Sequence, residues 1–557
     1  MTYFSCGAIF LAWLVPNHYF PWLSAWQDAI SIAGLLITAI YSIFITKRII
    51  KISLQIFIVF ALIFSLPWLQ LAKNHLLFAG DAVMVSLYAT LGLIAVCLGH
   101  LLFENKNPPR IEGTRALTSS CALAAILSTG VALVQWTGAF TLGIYGAELP
   151  PGSRPFANVA QPNHLNTLCF LGICSIFWLY EQRQIGKTGF WLGTIFLVYG
   201  MLLSQSRTGW LQIFLLIIWG SIQDLRMHNR ISPRWLTMLG GIFFLGVLLW
   251  QPFNDLLQLP ISRDLTSQMS TGTRPAYWLS MLDALWREPW WGYGWQQVGA
   301  AQQNVALDHP PSIEYFEHSH NLVLDLMLWN GIPIGIFITA LLVFWLYRQI
   351  RSYTQAHTGW LLTALIGLSI HAMLEYPLEY AYFLIPAGLL IGCIEASTPE
   401  ANIRFVTIPR KVFAGCLAAM TVISIMVAGE WLAAEANYRN LRFESARIGK
   451  QDTASAPPDF RLLTQLSAFL TFARTEATPD MSAEQVEWMR KVSMRFGYPP
   501  AMLRYALAAG LNGHPREAEI TLQRICRIHG PQRCTEAQEG WQLLQQQFPQ
   551  LQQIPGP

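Results

Sequence analysis

From residue 3 to residue 430 the chain returns repeatedly to apolar runs of bilayer-crossing length, about 17 to 25 residues, with almost no charge inside them. Backbone groups in hydrocarbon must find partners within their own segment, which selects helices or a closed barrel. A barrel would alternate polar and apolar residues in strands of about ten, and these runs do not. The expected fold is therefore an all-α polytopic membrane protein. About thirteen transmembrane helices are expected, near 3–16, 26–46, 52–70, 82–103, 116–138, 164–180, 188–204, 209–223, 235–250, 321–346, 359–375, 381–395 and 412–430. Composition agrees, with 53% hydrophobic and 12% charged residues and a mean hydropathy of +0.37. A net charge of +4 is too small to indicate a nucleic-acid partner. Met1 to Val15 lacks the basic start and small-residue cleavage site of a secretory leader, so none is expected.

Sidedness follows from Lys and Arg in the short loops. One set of loops holds sixteen, among them Lys47, Arg48, Lys51, Lys106, Arg110 and Arg115; the other holds six, Lys73, Arg154, Arg207, Arg263, Arg274 and Arg287. The basic set marks the cytoplasm. The N-terminus is then inside, and an odd number of spans puts the C-terminus outside. The longest external loop runs over about 251–319. Residues 1–430 form the expected membrane domain. Residues 431–557 are charged, Gln-rich and helical in pattern, and form an expected external domain. There "RYALAAGLNGHPREAEITLQRI" resembles half of a tetratricopeptide-type hairpin.

The outer face holds several polar constellations. Arg207 in "LLSQSRTGW" stands at an outer span junction, either as an interfacial anchor or as a clamp for phosphate, whose geometry suits a planar guanidinium. Arg274 in "STGTRPAYW" follows the small polar approach Ser270 to Thr273, which would let a large ligand come close, or else reads as a surface salt bridge. "RPFANVAQPNHLNT", Arg154 to Thr167, brings Gln161, Asn163 and His164 to the start of a span, for capping by Asn163 or for hydrogen bonding to a sugar or acceptor hydroxyl. In "EHSHN", Ser319 is the expected N-cap and His320 falls in the first helical turn, where the helix dipole favours neutral imidazole. His318, two residues away, is expected to point elsewhere. No His-x-x-x-His or external Cys cluster supports a metal site. "PWWGYGW", Pro289 to Trp295, reads as a Gly-rich aromatic turn.

Taken together, Arg207 in "SQSRTGW", Arg274 in "GTRPAYW" and His320-Asn321 in "EHSHNLVLDLMLWNGIPIG" resemble the motif set of the O-antigen ligase and polymerase superfamily. "FANVAQPNHLNT", "HAMLEYPLEY" and the C-terminal extension resemble its branch of bacterial protein O-oligosaccharyltransferases. The resemblance implies a GT-C-like membrane glycosyltransferase in the bacterial inner membrane. Such an enzyme moves a preassembled glycan from undecaprenyl diphosphate to a Ser or Thr hydroxyl of a periplasmic or pilin-type protein. It needs neither metal nor cofactor. Arg207 and Arg274 would hold the diphosphate and His320 would act as base. Arg154, Gln161, Asn163, His164, His318, Asn321 and Tyr376 are the expected substrate-binding residues. An O-antigen ligase, an O-antigen polymerase and, from another class, a polytopic transporter or lipid flippase remain the alternatives. Cys526 and Cys534 bracket "RIHGPQR" in the external domain and are expected to form a disulfide or to stay as two thiols; the other seven cysteines lie in or beside apolar spans.

Overall fold

The computed structural model describes residues 2–45, 49–103, 112–227, 229–259, 272, 274–399, 403–446 and 456–557. Lys47, Arg48, Lys106, Arg110, Arg263, Ser270, Thr271 and Thr273, used above for sidedness and for the approach to Arg274, lie outside them. The described residues are mostly helical. Each expected apolar run but that over 321–346 falls on one helix: α1 (Thr2–Leu14), α2 (Ala25–Ile45), α3 (Leu54–Ala72), α4 (Ala79–Phe103), α5 (Glu112–Thr137), α6 (Pro162–Glu181), α7 (Lys187–Ser204), α8 (Arg207–Met227), α9 (Pro233–Leu257), then, after three shorter helices, α13 (Ile332–Ser352), α14 (Ala356–Ala372), α15 (Ala381–Ser397) and α16 (Arg410–Ser445). Among the described residues eight helices are long and apolar enough to cross a membrane by themselves: α2, α3, α4, α5, α7, α9, α13 and α16. The others include α6 and α15, most of whose side chains are buried among neighbouring helices. A helix surrounded by protein need not be apolar on every side.

The chain divides into two compact units. The first comprises residues 1–61, 87–270 and 341–424. Its centre is α6, where every side chain from His164 to Tyr180 is buried. Close approach of helices fixes its neighbours: a Cβ on Gly367 of α14 would stand 1.9 Å from the Phe170 ring of α6. A small ribbon, not foreseen from the sequence, pairs β1 (Ile50–Ser53) antiparallel with β2 (Phe405–Ile408), Ile50 opposite Ile408. Glu395 of α15 closes it by accepting from the Ser53 amide at 3.1 Å.

The second unit comprises residues 62–86, 271–340 and 425–557. It holds four loop and loop-end elements: α10 (Arg274–Arg287), α11 (Val298–Val305), α12 (Leu322–Asn330) and the start of α13. It also holds the C-terminal helices α17 (Thr464–Phe472), α18 (Ala483–Arg495), α19 (Pro499–Leu511), α20 (Pro515–Ile528) and α21 (Pro531–Gln547). The tetratricopeptide-like segment is the α19–α20 hairpin, turning at Gly513 with φ +82°. Met489, Val492, Met502, Leu522, Ile525 and Trp541 build the core, which also takes in Phe78 and Ala306 from outside the tail. Cys526 and Cys534 are joined, with Cα atoms 4.5 Å apart. Of the remaining cysteines, six are buried and Cys416 is half-buried.

Candidate active site

The candidate residues fall into two clusters. In the first unit they gather where α6 and α8 begin. Gln161, not Asn163, is the N-cap of α6, and its Oε1 accepts from the His164 amide at 2.8 Å. Pro162 then occupies the first helical position, where a missing N–H costs nothing. Asn163 is thereby inside the helix and free to bridge: its Nδ2 donates to Glu375 at 2.8 Å and its Oδ1 accepts from Ser206 at 2.6 Å. Ser206 immediately precedes Arg207, the first residue of α8. Gln205, at φ +47°, makes the turn between α7 and α8. Arg154 donates to the carbonyls of Ser204 and Gln205 at 3.3 and 3.2 Å, a cation on the C-terminal end of α7. Arg154 and Asn163 thus fix the turn that presents Arg207. His164 is buried, its Nδ1 3.1 Å from the Tyr382 hydroxyl and its ring edge-on to Tyr380 at 4.7 Å. Tyr376 stacks on Tyr380 with ring centroids 6.0 Å apart, one residue after Glu375. Glu375 and Ser206 were missed from sequence; "HAMLEYPLEY" held the only signal for Glu375, and Ser206 gave none.

In the second unit the start of α12 departs from expectation. The N-cap is Asn321, not Ser319, and its Oδ1 accepts from the amides of Val323 and Leu324, both at 3.1 Å. Ser319 is bonded otherwise: its amide donates to Asp325 Oδ1 at 2.7 Å and its hydroxyl donates to the Asn321 carbonyl at 3.1 Å. His320 therefore precedes the helix, outside the first turn. It sits at φ +56°, in the left-handed region that non-glycine residues seldom occupy. It is half-buried, edge-on to Phe316 at 5.5 Å. The Trp278 indole of α10 donates to the Ser319 carbonyl at 2.8 Å and pins the loop just before it. Arg274 is the first residue of that same α10. His318 is buried, its Nδ1 4.0 Å from Asp325 Oδ2, with its ring edge-on to Trp329. The two histidine rings have different neighbours, Trp329 for His318 and Phe316 for His320, and His320 reaches its own from a left-handed backbone outside the helix.

The run expected as one span over 321–346 is broken. Gly331, at φ +81° and ψ 163°, separates α12 from α13. A Cβ there would lie 2.3 Å from the Trp290 carbonyl oxygen. "PWWGYGW" supplies the strut. Tyr293 donates its amide to the Leu328 carbonyl at 2.7 Å, and Ile332 donates to the Pro289 carbonyl at 2.7 Å. The Gly-rich turn is thus scaffold under α12.

The C-terminal helices grip the same loop a few residues before the histidines. The Ser312 amide donates to the Arg527 carbonyl at 2.9 Å, within the disulfide-closed segment. Tyr315 donates to the Arg495 carbonyl at 3.3 Å. Tyr498 donates to the carboxylate of Glu317 at 2.9 Å. Arg495 in turn forms two 3.0 Å bonds to Asp81.

Residues 192–339, which include Arg207, Arg274 and His320, match the family model described as O-antigen ligase. Residues 358–543, which include Tyr376 and most of the tail, match that of the C-terminal part of virulence-factor membrane-bound polymerase. The chain is 28% identical over 539 residues to a General O-oligosaccharyltransferase of Acinetobacter baylyi, covering 94% of this chain and 91% of that one. It is 26% identical over 426 residues to the ComP-specific O-oligosaccharyltransferase of the same organism, 74% of each chain. The chain belongs to the O-antigen ligase superfamily. It is a glycosyltransferase of the oligosaccharyltransferase kind. Within this superfamily member, both arginines open helices and the histidine stands just before one. Backbone amides at such ends favour negative charge.

Proposed function

We propose that this oligosaccharyltransferase moves a preassembled glycan en bloc from undecaprenyl diphosphate to Ser or Thr hydroxyls of periplasmic or pilin-type proteins. Arg207 and Arg274 hold the diphosphate, and His320 takes the acceptor proton. The bond between the sugar's anomeric carbon and the phosphate oxygen breaks, and the diphosphate leaves with the electron pair. The acceptor oxygen forms the new bond, and its proton goes to the imidazole. Two guanidinium groups can stabilise the departing diphosphate without a metal ion. A neutral hydroxyl is a poor nucleophile, and a positioned base contributes typically 10²- to 10⁴-fold.

The observation that carries the reading is the backbone of His320. A left-handed histidine is kept in place by Trp278 on one side and the Asn321 cap on the other. Such strain persists where surrounding bonds over-determine it, and it concentrates at functional sites. The names of the two Acinetobacter relatives favour O-linked transfer, and "ComP-specific" favours a protein acceptor. The family description O-antigen ligase supports a second reading, with a lipid A core sugar as acceptor. The basic-residue count supports an inner-membrane orientation with the N-terminus in the cytoplasm and the C-terminus in the periplasm. Intact-mass analysis of periplasmic proteins and of lipopolysaccharide, with and without this chain, in cells making the lipid-linked glycan, separates the two. Glycan on protein supports the proposal; glycan on lipid A core alone replaces it.

A further inference from the structure

Helix α10 has two apolar faces. Tyr277, Met281, Ala284 and Leu285 are buried in its own unit. Leu279, Leu282 and Trp286, at spacings of three and four, form a second stripe that is 65%, 41% and 72% exposed. Trp290, exposed by 71%, continues the stripe past the helix end. An aromatic and aliphatic stripe of this kind marks a surface that meets something.

The ends of two spans identify what it meets. Pro289 and Trp290 lie against Gly331 and Ile332, where α13 starts. Trp291 has the Lys73 ammonium 5.3 Å from its ring centroid and His75 stacked at 6.3 Å, immediately after α3 ends at Ala72. Both α3 and α13 are long and apolar enough to cross a membrane. Two spans therefore end at the turn that follows α10, so the boundary of the bilayer passes through that turn. Tryptophan concentrates at this depth. Arg274 and Arg287 close the two ends of α10, and long arginine stems let a charged head reach water from an apolar bed. On the flank, Arg287 binds Asp283 at 2.7 Å and Asp308 at 2.8 Å, and His309 meets Asp283 at 2.9 Å, a polar rim beside the apolar stripe.

We propose that α10 is a membrane-surface helix whose Leu279–Leu282–Trp286 stripe is sunk among the acyl chains, so that the partner of this face is the lipid bilayer. Taken with the reading of Arg274 as a diphosphate ligand, on which this consequence rests, the helix holds that guanidinium at head-group depth. A diphosphate on a membrane-anchored isoprenoid lies there.

The test uses the full chain in nanodiscs of phosphatidylethanolamine and phosphatidylglycerol. Leu282→Cys, Trp286→Cys, Asp283→Cys and Glu288→Cys are each spin-labelled, with the wild-type protein labelled in parallel as background. Collision rates are measured with oxygen, which concentrates in acyl chains, and with a water-soluble nickel chelate. The oxygen-to-chelate ratio is expected to be several-fold higher at 282 and 286 than at 283 and 288. Equal ratios at all four positions would make the stripe water-facing and overturn the proposal. Shielding of 282 and 286 from both reagents would assign the stripe to a protein partner and overturn it equally. Neither result depends on glycan transfer, so the proposal can fail without the catalytic reading failing, and the reverse.

Discussion

Residue types and neighbours made His320 and Arg274 candidates, but they did not show the geometry of the pentapeptide. Ser and Asn are both good N-caps, and the sequence offered Ser319 and Asn321 two residues apart. In the fold Asn321 caps α12, while the Ser319 amide is held by Asp325 within the same helix. Asn321→Ala should cost about 1 kcal/mol of stability. It should also lower transfer more than its stability loss predicts, because it frees the residue next to His320; thermal unfolding and turnover on one preparation separate these effects. Arg207→Lys is expected to lose most activity with unchanged abundance, since an ammonium cannot reproduce the two-pronged contact of guanidinium with phosphate. Retention of near wild-type activity would reduce Arg207 to an interfacial anchor. The tether through Asn163 to Glu375 could not be read from sequence, because its partners lie 212 residues apart.

At the scale of elements, the apolar runs marked α1 to α9 and α13 to α16 but could not show the break at Gly331. An unbroken apolar run carries no mark of a turn whose cause, the Pro289–Trp290 backbone, lies some forty residues upstream. Gly331→Ala should destabilise the protein by at least about 2 kcal/mol, since the methyl would meet a backbone carbonyl at a positive φ; thermal unfolding in detergent measures it. The grip of the tail on the loop was equally invisible. The disulfide at 526–534 is expected to contribute about 2 to 3 kcal/mol to the C-terminal helices. Reduction should therefore loosen the Ser312 to Glu317 segment and slow transfer, which hydrogen exchange and activity with and without dithiothreitol will show. His529 adds a pH dependence. It is buried, bonded to the Gly497 carbonyl at 2.9 Å, and its pKa is lowered first by burial and further by Arg533. Its neutral form is the folded one. Its contribution is present above the unfolded value, about 6.5, and is lost as pH falls. Denaturant midpoints of the full chain should drop below that pH, and His529→Gln should flatten the drop.

For the whole molecule, charge bias in short loops and the length of the apolar runs carried the reading of fold and sidedness, because both reflect the bilayer itself. If the tail is periplasmic, Cys526 and Cys534 should label with an impermeant thiol reagent only after reduction, and without breaching the inner membrane. Labelling that requires permeabilisation would reverse the orientation of the chain. The central claim is that a half-buried histidine with a left-handed backbone serves as the base for a hydroxyl acceptor. It is tested most directly with purified wild-type and His320→Ala proteins in nanodiscs, supplied with undecaprenyl-diphosphate glycan and a serine-bearing acceptor, in EDTA. The account predicts steady transfer by the wild type, and at least about a hundredfold loss in a His320→Ala protein that unfolds at the wild-type temperature. Transfer by His320→Ala within a few-fold of wild type would contradict it.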